Sequence, residues 1–202
     1  MEPCRENRLI RNSAKRRRAT SLQPYLQGEL DGLCAIYSVI NGLRLLLADQ
    51  RPLSRLECTT LFSIAVDHLS AKGQLKASAA LGLGYRTWYG LTTRMCRAAS
   101  ELAGLKIKTE RPFAGRRHTA HERIMRLMRE ATDKGWPVLA ATSDHFTVIA
   151  SCTQHRLQLF DSSHCHWFAI AGCRTSGVWT GRGHFLAPHS LTVLSIDLPT
   201  RA

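Results

Sequence analysis

Asp31-Gly32-Leu33-Cys34-Ala35-Ile36-Tyr37-Ser38-Val39-Ile40-Asn41-Gly42-Leu43-Arg44-Leu45-Leu46-Leu47 is the stretch against which the rest of the chain is read. Ile36, Ile40, Leu43 and Leu47 recur at spacings of three and four residues, the signature of one face of an α-helix. The spacing predicts a buried helix from Cys34 to Leu47. Asp31 precedes it as the expected N-cap with Gly32 in the first turn, which puts the Cys34 side chain near the helix N-terminus.

Helical signals continue downstream. Ser54-Arg55-Leu56-Glu57 matches a capping box ahead of Leu61, Phe62, Ala65 and Leu69, so a helix is expected to about Ser70. Glycines and small residues between Ala71 and Tyr85 predict a loop, and Thr87 to Ala103 reads as a helix closed by Gly104. A short strand is expected from Leu105 to Thr109. Thr119-Ala120-His121-Glu122 is a second capping-box match, opening a helix that turns Ile124, Leu127 and Met128 inward and stops near Gly135. From there the period changes. Trp136 to Ala141, His145 to Ser151, Arg156 to Phe160, Cys165 to Ile170 and Leu191 to Ile196 are short β-branched or aromatic runs between turn-rich segments, as a meandering antiparallel sheet needs. Helices first and strands second predict an α+β fold with the Cys34 helix in an N-terminal helical part, packed on a C-terminal antiparallel sheet.

The 202 residues, 44% of them hydrophobic, suit one globular domain, expected over 21–202. The net charge is +13, of which Met1 to Thr20 supplies seven basic and two acidic residues. The run Lys15-Arg16-Arg17-Arg18 reads as part of a solvated, flexible tail able to meet an anionic partner, and no zinc-finger or aromatic RNA-binding motif makes it a nucleic-acid site. Seven irregularly spaced cysteines argue for free thiols in a reducing compartment, hence a cytoplasmic protein. No apolar segment follows the basic N-terminus, and the longest apolar run, Val39 to Ala48, is broken by Asn41 and Arg44, so no membrane insertion is expected.

A thiol is an effective nucleophile only as thiolate, and a helix N-terminus offers partial positive charge and free N–H groups that favour the anion. Cys34 has that setting. Cys58 and Cys96 fall inside helices, Cys152 and Cys165 at strands, and Cys4 and Cys173 in tail or loop. Cysteine chemistry also needs a base, held in one tautomer by a third group. His145 opens the strand His145-Phe146-Thr147-Val148-Ile149-Ala150, Thr153-Gln154 forms a turn, and Asp161 ends the returning strand Arg156-Leu157-Gln158-Leu159-Phe160. In an antiparallel hairpin the start of one strand lies beside the end of the next, which makes neighbours of these two side chains. His164-Cys165-His166, near His155 and Cys152, contains zinc-ligand types, but adjacent strand residues face opposite ways and cannot converge on one ion, so no metal or other cofactor is expected. Trp136, Trp167 and Trp179 read as core or cleft-wall residues.

The segments Gln27-Gly28-Glu29-Leu30-Asp31-Gly32-Leu33-Cys34-Ala35-Ile36-Tyr37-Ser38, His145-Phe146-Thr147-Val148 and Phe160-Asp161-Ser162-Ser163 together resemble the papain-like cysteine peptidases, nearest to small bacterial peptidases related to the bacteriocin-leader-processing family. The resemblance spans roughly 22 to 197. It implies a papain-like fold, attack by Cys34 on a carbonyl carbon, proton transfer by His145, orientation of the imidazole by Asp161, and an acyl-enzyme resolved by water or another acceptor. It also implies a Gln before the nucleophile whose amide binds the oxyanion. Gln27 takes that role here, seven residues ahead of Cys34 and one more than the usual spacing; Ala35 stands where the family often has Gly or Ser.

The expected function is therefore a cysteine peptidase or isopeptidase acting on a peptide or protein. The same triad serves amide-directed transferases and deamidases, and a non-catalytic basic adaptor for nucleic acid or an acidic protein is the reading from another class.

Overall fold

The computed structural model describes residues 22–28, 31–116, 119–176 and 183–197; the basic tail 1–20 and Trp179 lie outside them. Helix α1 (Cys34–Leu47) has the bounds its apolar spacing predicts, with Ile36, Ile40, Leu43 and Leu47 all buried. Its N-cap is Leu33 rather than Asp31, and no side chain caps it. Asp31 sits too early for that role: its Oδ1 accepts from Leu33 N at 3.0 Å and its Oδ2 from Gly28 N at 2.9 Å, so it ties down the approach to the helix.

Helix α2 (Arg55–Ala71) carries the predicted capping box, Ser54 Oγ accepting from Glu57 N and the Glu57 carboxylate accepting from Ser54 N. The expected loop after it contains a seven-residue helix, α3 (Leu75–Leu81), because Ala77-Ser78-Ala79-Ala80 favours helix once Gly73 and Gly82, both at positive φ, turn the chain on either side. Helix α4 (Tyr85–Ala103) ends on Gly104 in the left-handed conformation, as expected. Helix α5 (His121–Asp133) lacks its predicted capping box: it starts one residue late, with Ala120 as N-cap, so Glu122 misses the third position and the buried Thr119 Oγ1 has no partner.

The strands are β1 (Ile107–Glu110), β2 (Val138–Ala141), β3 (Phe146–Cys152), β4 (Arg156–Leu159), β5 (Trp167–Ala169), β6 (Cys173–Arg174), β7 (His184–Phe185) and β8 (Thr192–Ile196). Six form one antiparallel sheet in the order β1-β8-β2-β3-β4-β5, and β6 with β7 makes a small parallel pair. β2 to β5 meander as expected, whereas β8 inserts between β1 and β2. β5 begins later than predicted because His164 takes a positive φ of 64° ahead of it.

The fold is α+β, N-terminal helices packed on this sheet, and helices cover both of its faces. Ile36, Val39 and Leu43 of α1 pack with Leu139, Ala141, Phe146, Val148 and Leu194, and α2 and α4 complete that core. On the other face Ile124 and Met128 of α5 pack with Val138, Ala140, Ile149 and Val193. The alternation along β2 assigns successive residues to opposite cores, which is why all four are buried. Gly42 marks the closest approach of α1 to the sheet, since a Cβ there would meet Leu139 Cδ2 at 2.6 Å. Among the described residues no helix is long and apolar enough to cross a membrane.

Candidate active site

Cys34 is the first residue of α1 and is 6% exposed. Its sulfur lies 4.0 Å from Gly32 O. A Cβ on Gly32 would stand 2.8 Å from Gly82 N and 3.0 Å from Ser78 O, and Gly32 N donates to Ala79 O at 2.6 Å. Only glycine lets the loop before the cysteine press this closely against the end of α3.

His145 and Asp161, sixteen residues apart, are joined as the hairpin reading predicts. His145 Nε2 lies 3.0 Å from Asp161 Oδ1 and 3.1 Å from Oδ2. The register contains a device the sequence does not reveal. Cys152 pairs with Leu157 and Ser151 with Gln158, but a bulge shifts the ladder so that Ile149 pairs with Leu159, and Phe160 N donates to Val148 O. Continued, the unbulged register would set Asp161 across from Val148, whereas the bulged one sets it across from Thr147, two residues from His145. Because a one-residue slip turns every side chain to the opposite face, the bulge gives Asp161 the same parity as His145.

The carboxylate is held from a second side. Asp161 Oδ1 accepts from Ser163 N at 2.7 Å and from Ser163 Oγ at 2.5 Å, a local turn that fixes the carboxylate while leaving it open to the imidazole. The Asp161 side chain has no exposure and that of His145 has 21%. Burial pushes the Asp161 carboxyl up, but the hydrogen bond and charge of His145, with Ser163, outweigh it and hold the group below its ordinary value. Burial likewise opposes a charged His145, yet hydrogen bonds and charge from Asp161 and the Cys34 thiol win and raise its pKa from 6.5 to about 10. An ionised carboxylate only accepts, so Nε2 is a donor and Nδ1 is the nitrogen left for the sulfur. The structure thus joins His145 to Asp161 by a hydrogen bond, and the Cys34 sulfur is near enough to the same ring to help raise its pKa.

Gln27 lies beside this pair. Its backbone N donates to Ser162 O at 3.1 Å, next to Asp161, and its Nε2 donates to Asp31 O at 2.5 Å, keeping one amide hydrogen in hand. Its Oε1 is buried without a hydrogen-bond partner. Ser163 is the supporting residue that sequence reasoning missed; the signal was there, since an Asp with Ser two positions on is a recurrent side-chain-to-backbone turn.

The other described thiols sit elsewhere. Burial pushes Cys96 up to about 12 and Cys173 up to about 11, and it raises Cys58, Cys152 and Cys165 as well. Trp167, expected in the core or a cleft wall, is instead 48% exposed with Arg156 stacked over its ring at 4.4 Å. Comparison with family models, with curated proteins and with solved structures gives no significant match for this chain.

Proposed function

We propose that this chain is a papain-like cysteine peptidase or isopeptidase, its single catalytic domain running over 21–202. The observation that carries the reading is the imidazole of His145, bound through Nε2 to a fully buried carboxylate, with the sulfur at the start of α1 among the groups that raise its pKa. The Cys34 proton passes to His145 Nδ1, and the sulfur attacks the carbonyl carbon of a peptide or isopeptide bond. The carbonyl oxygen takes the electron pair and is met by the backbone N–H of Cys34 and by the remaining amide hydrogen of Gln27. As the tetrahedral species collapses, the C–N bond breaks, the imidazolium gives its proton to the leaving amine, and a thioester on Cys34 remains. Water, deprotonated by His145, then attacks the thioester, releases the acid and returns the proton to sulfur. Asp161 keeps Nε2 protonated throughout and offsets the charge on the ring. Six free cysteines among the described residues support a reducing, cytoplasmic setting.

The test is alkylation by iodoacetamide at about pH 5.5, where an ordinary thiol is almost wholly protonated, resolved by peptide mass spectrometry. Cys34 is expected to label first, and His145→Ala to abolish that preference. Labelling spread evenly over the thiols, or a Cys34 rate indifferent to His145→Ala, refutes the reading.

A further inference from the structure

We infer that Trp88 is a positioning residue that sets the spacing between the Cys34 sulfur and the His145 ring. Trp88 lies near the start of α4 and is completely buried. It touches both halves of the site one residue away from the reacting groups. Its Nε1–H donates to Ala35 O at 3.3 Å, immediately after Cys34, and its ring packs on Phe146, immediately after His145, at a centroid distance of 4.5 Å and an interplanar angle of 44°.

Both contacts are chemically specific. A buried indole N–H needs an acceptor, and a carbonyl oxygen has capacity for more than one donor. Ala35 O already takes Ser38 Oγ at 2.9 Å, so the first turn of α1 is pinned from within and from α4. Phe146 is held from a second direction by Tyr85, with ring centroids 6.0 Å apart in an edge-to-face arrangement. Cys34 and His145 belong to elements far apart in the chain, and between them the Trp88 indole forms a rigid spacer with one end hydrogen-bonded and the other packed at a tilt on the Phe146 ring. Proton transfer between sulfur and nitrogen tolerates little displacement, since a misplacement of about 1 Å costs about a hundredfold in rate. Trp88 touches neither reacting atom; its effect runs through Ala35 and Phe146.

This inference rests on Cys34 and His145 being a reacting pair, and the experiment separates the two. The rate of Cys34 alkylation by iodoacetamide is followed from pH 5 to pH 9 in the full chain, with thermal unfolding recorded alongside. Trp88→Phe keeps a ring against Phe146 but removes the N–H, and Phe146→Leu keeps apolar volume but removes the aromatic ring that the indole packs on. Each is expected to lower the acid-limb rate of Cys34 about tenfold while leaving the rate at pH 9, above the ordinary thiol pKa, within about twofold. A purely structural role would lower the melting temperature and leave the shape of the pH profile unchanged, and that result overturns the inference. If Trp88→Phe fails to fold, Phe146→Leu decides the matter on the same terms. If His145→Ala itself leaves the acid-limb rate unchanged, the failure lies with the reacting pair and not with Trp88.

Discussion

His145 Nε2 stands between 3.0 and 3.1 Å from both oxygens of Asp161, and one of those oxygens also accepts two hydrogen bonds from Ser163. The imidazole is therefore oriented by a carboxylate that is itself immobilised. Replacing Cys34 or His145 by Ala is expected to abolish turnover without unfolding the chain. Asp161→Asn keeps an acceptor but loses the charge, so the His145 pKa should fall from about 10 toward 6.5, and activity should drop by up to about 10⁴-fold, as the amide favours the wrong imidazole tautomer, rather than vanish. Imidazole titration by NMR reads the first effect, and an unmoved pKa would contradict it.

The parts of this site that were legible in the sequence are those set by short-range periodicity. The 3.6-residue spacing of Ile36, Ile40, Leu43 and Leu47 fixed both ends of α1, and the hairpin between His145 and Asp161 followed from two alternating runs around Thr153-Gln154. Long-range choices left no local trace. Nothing in Thr192–Ile196 tells it to pair between β1 and β2, and nothing in Ile149-Ala150-Ser151 announces a bulge. Caps failed where a residue or two of backbone phase decided them: Asp31 stands two residues before the N-cap of its helix, and Thr119 lost its box when α5 began at His121. Trp88 read only as another residue of a helix, because its role depends on Ala35 and Phe146, 53 and 58 positions away.

The His145–Asp161 pair should leave a signature in stability against pH. A histidine whose folded pKa is raised contributes fully below its unfolded value, near 6.5, and loses that contribution as pH climbs toward about 10. An aspartate whose folded pKa is lowered contributes above its unfolded value, near 3.8, and loses that contribution as pH falls through the folded value. The stabilisation is thus greatest between these limits, from about pH 4 to about pH 6.5. Melting temperatures of the wild type and Asp161→Ala are expected to differ most in that window and to converge as pH rises toward 10. A gap that widens on going from pH 7 to 10 would show that the sign is wrong.

Ser163→Ala removes the hydroxyl donor to Asp161 and leaves the backbone N–H in place. Hydrogen bonds to charged groups are worth about 1.5 to 3 kcal/mol, so a loss of about 1 to 2 kcal/mol in urea unfolding is expected once the remaining donor is counted. With one donor fewer the carboxylate binds its proton more readily, and the acid limb of Cys34 alkylation should move to higher pH. An unchanged profile together with unchanged stability would mean that Ser163 contributes nothing.

The capping box at Ser54 and Glu57 is a control remote from the chemistry. Ser54→Ala frees Glu57 N from its acceptor and should cost about 1 kcal/mol, while the pH profile of Cys34 alkylation stays where it was. A shift in that profile would reveal coupling between the start of α2 and the site, and would end its use as a control.

Gly32→Ala tests how tightly the nucleophile depends on α3. The added methyl would fall 2.8 Å from Gly82 N, 3.0 Å from Ser78 O and 3.2 Å from Ala79 O. All three are backbone atoms, so no side chain can swing aside, and the loop or α3 itself must retreat. Overpacking of this kind costs about 1 to 3 kcal/mol, and the hydrogen bond from Gly32 N to Ala79 O stretches with it. Because Cys34 follows two residues later and its sulfur rests near Gly32 O, the displacement should reach the thiol. Acid-limb alkylation is therefore expected to fall together with the melting temperature, in contrast to Ser54→Ala, where only stability falls. If Gly32→Ala lowers the melting temperature but leaves the Cys34 rate untouched, the loop absorbs the strain before it reaches α1, and the close packing against α3 serves stability alone.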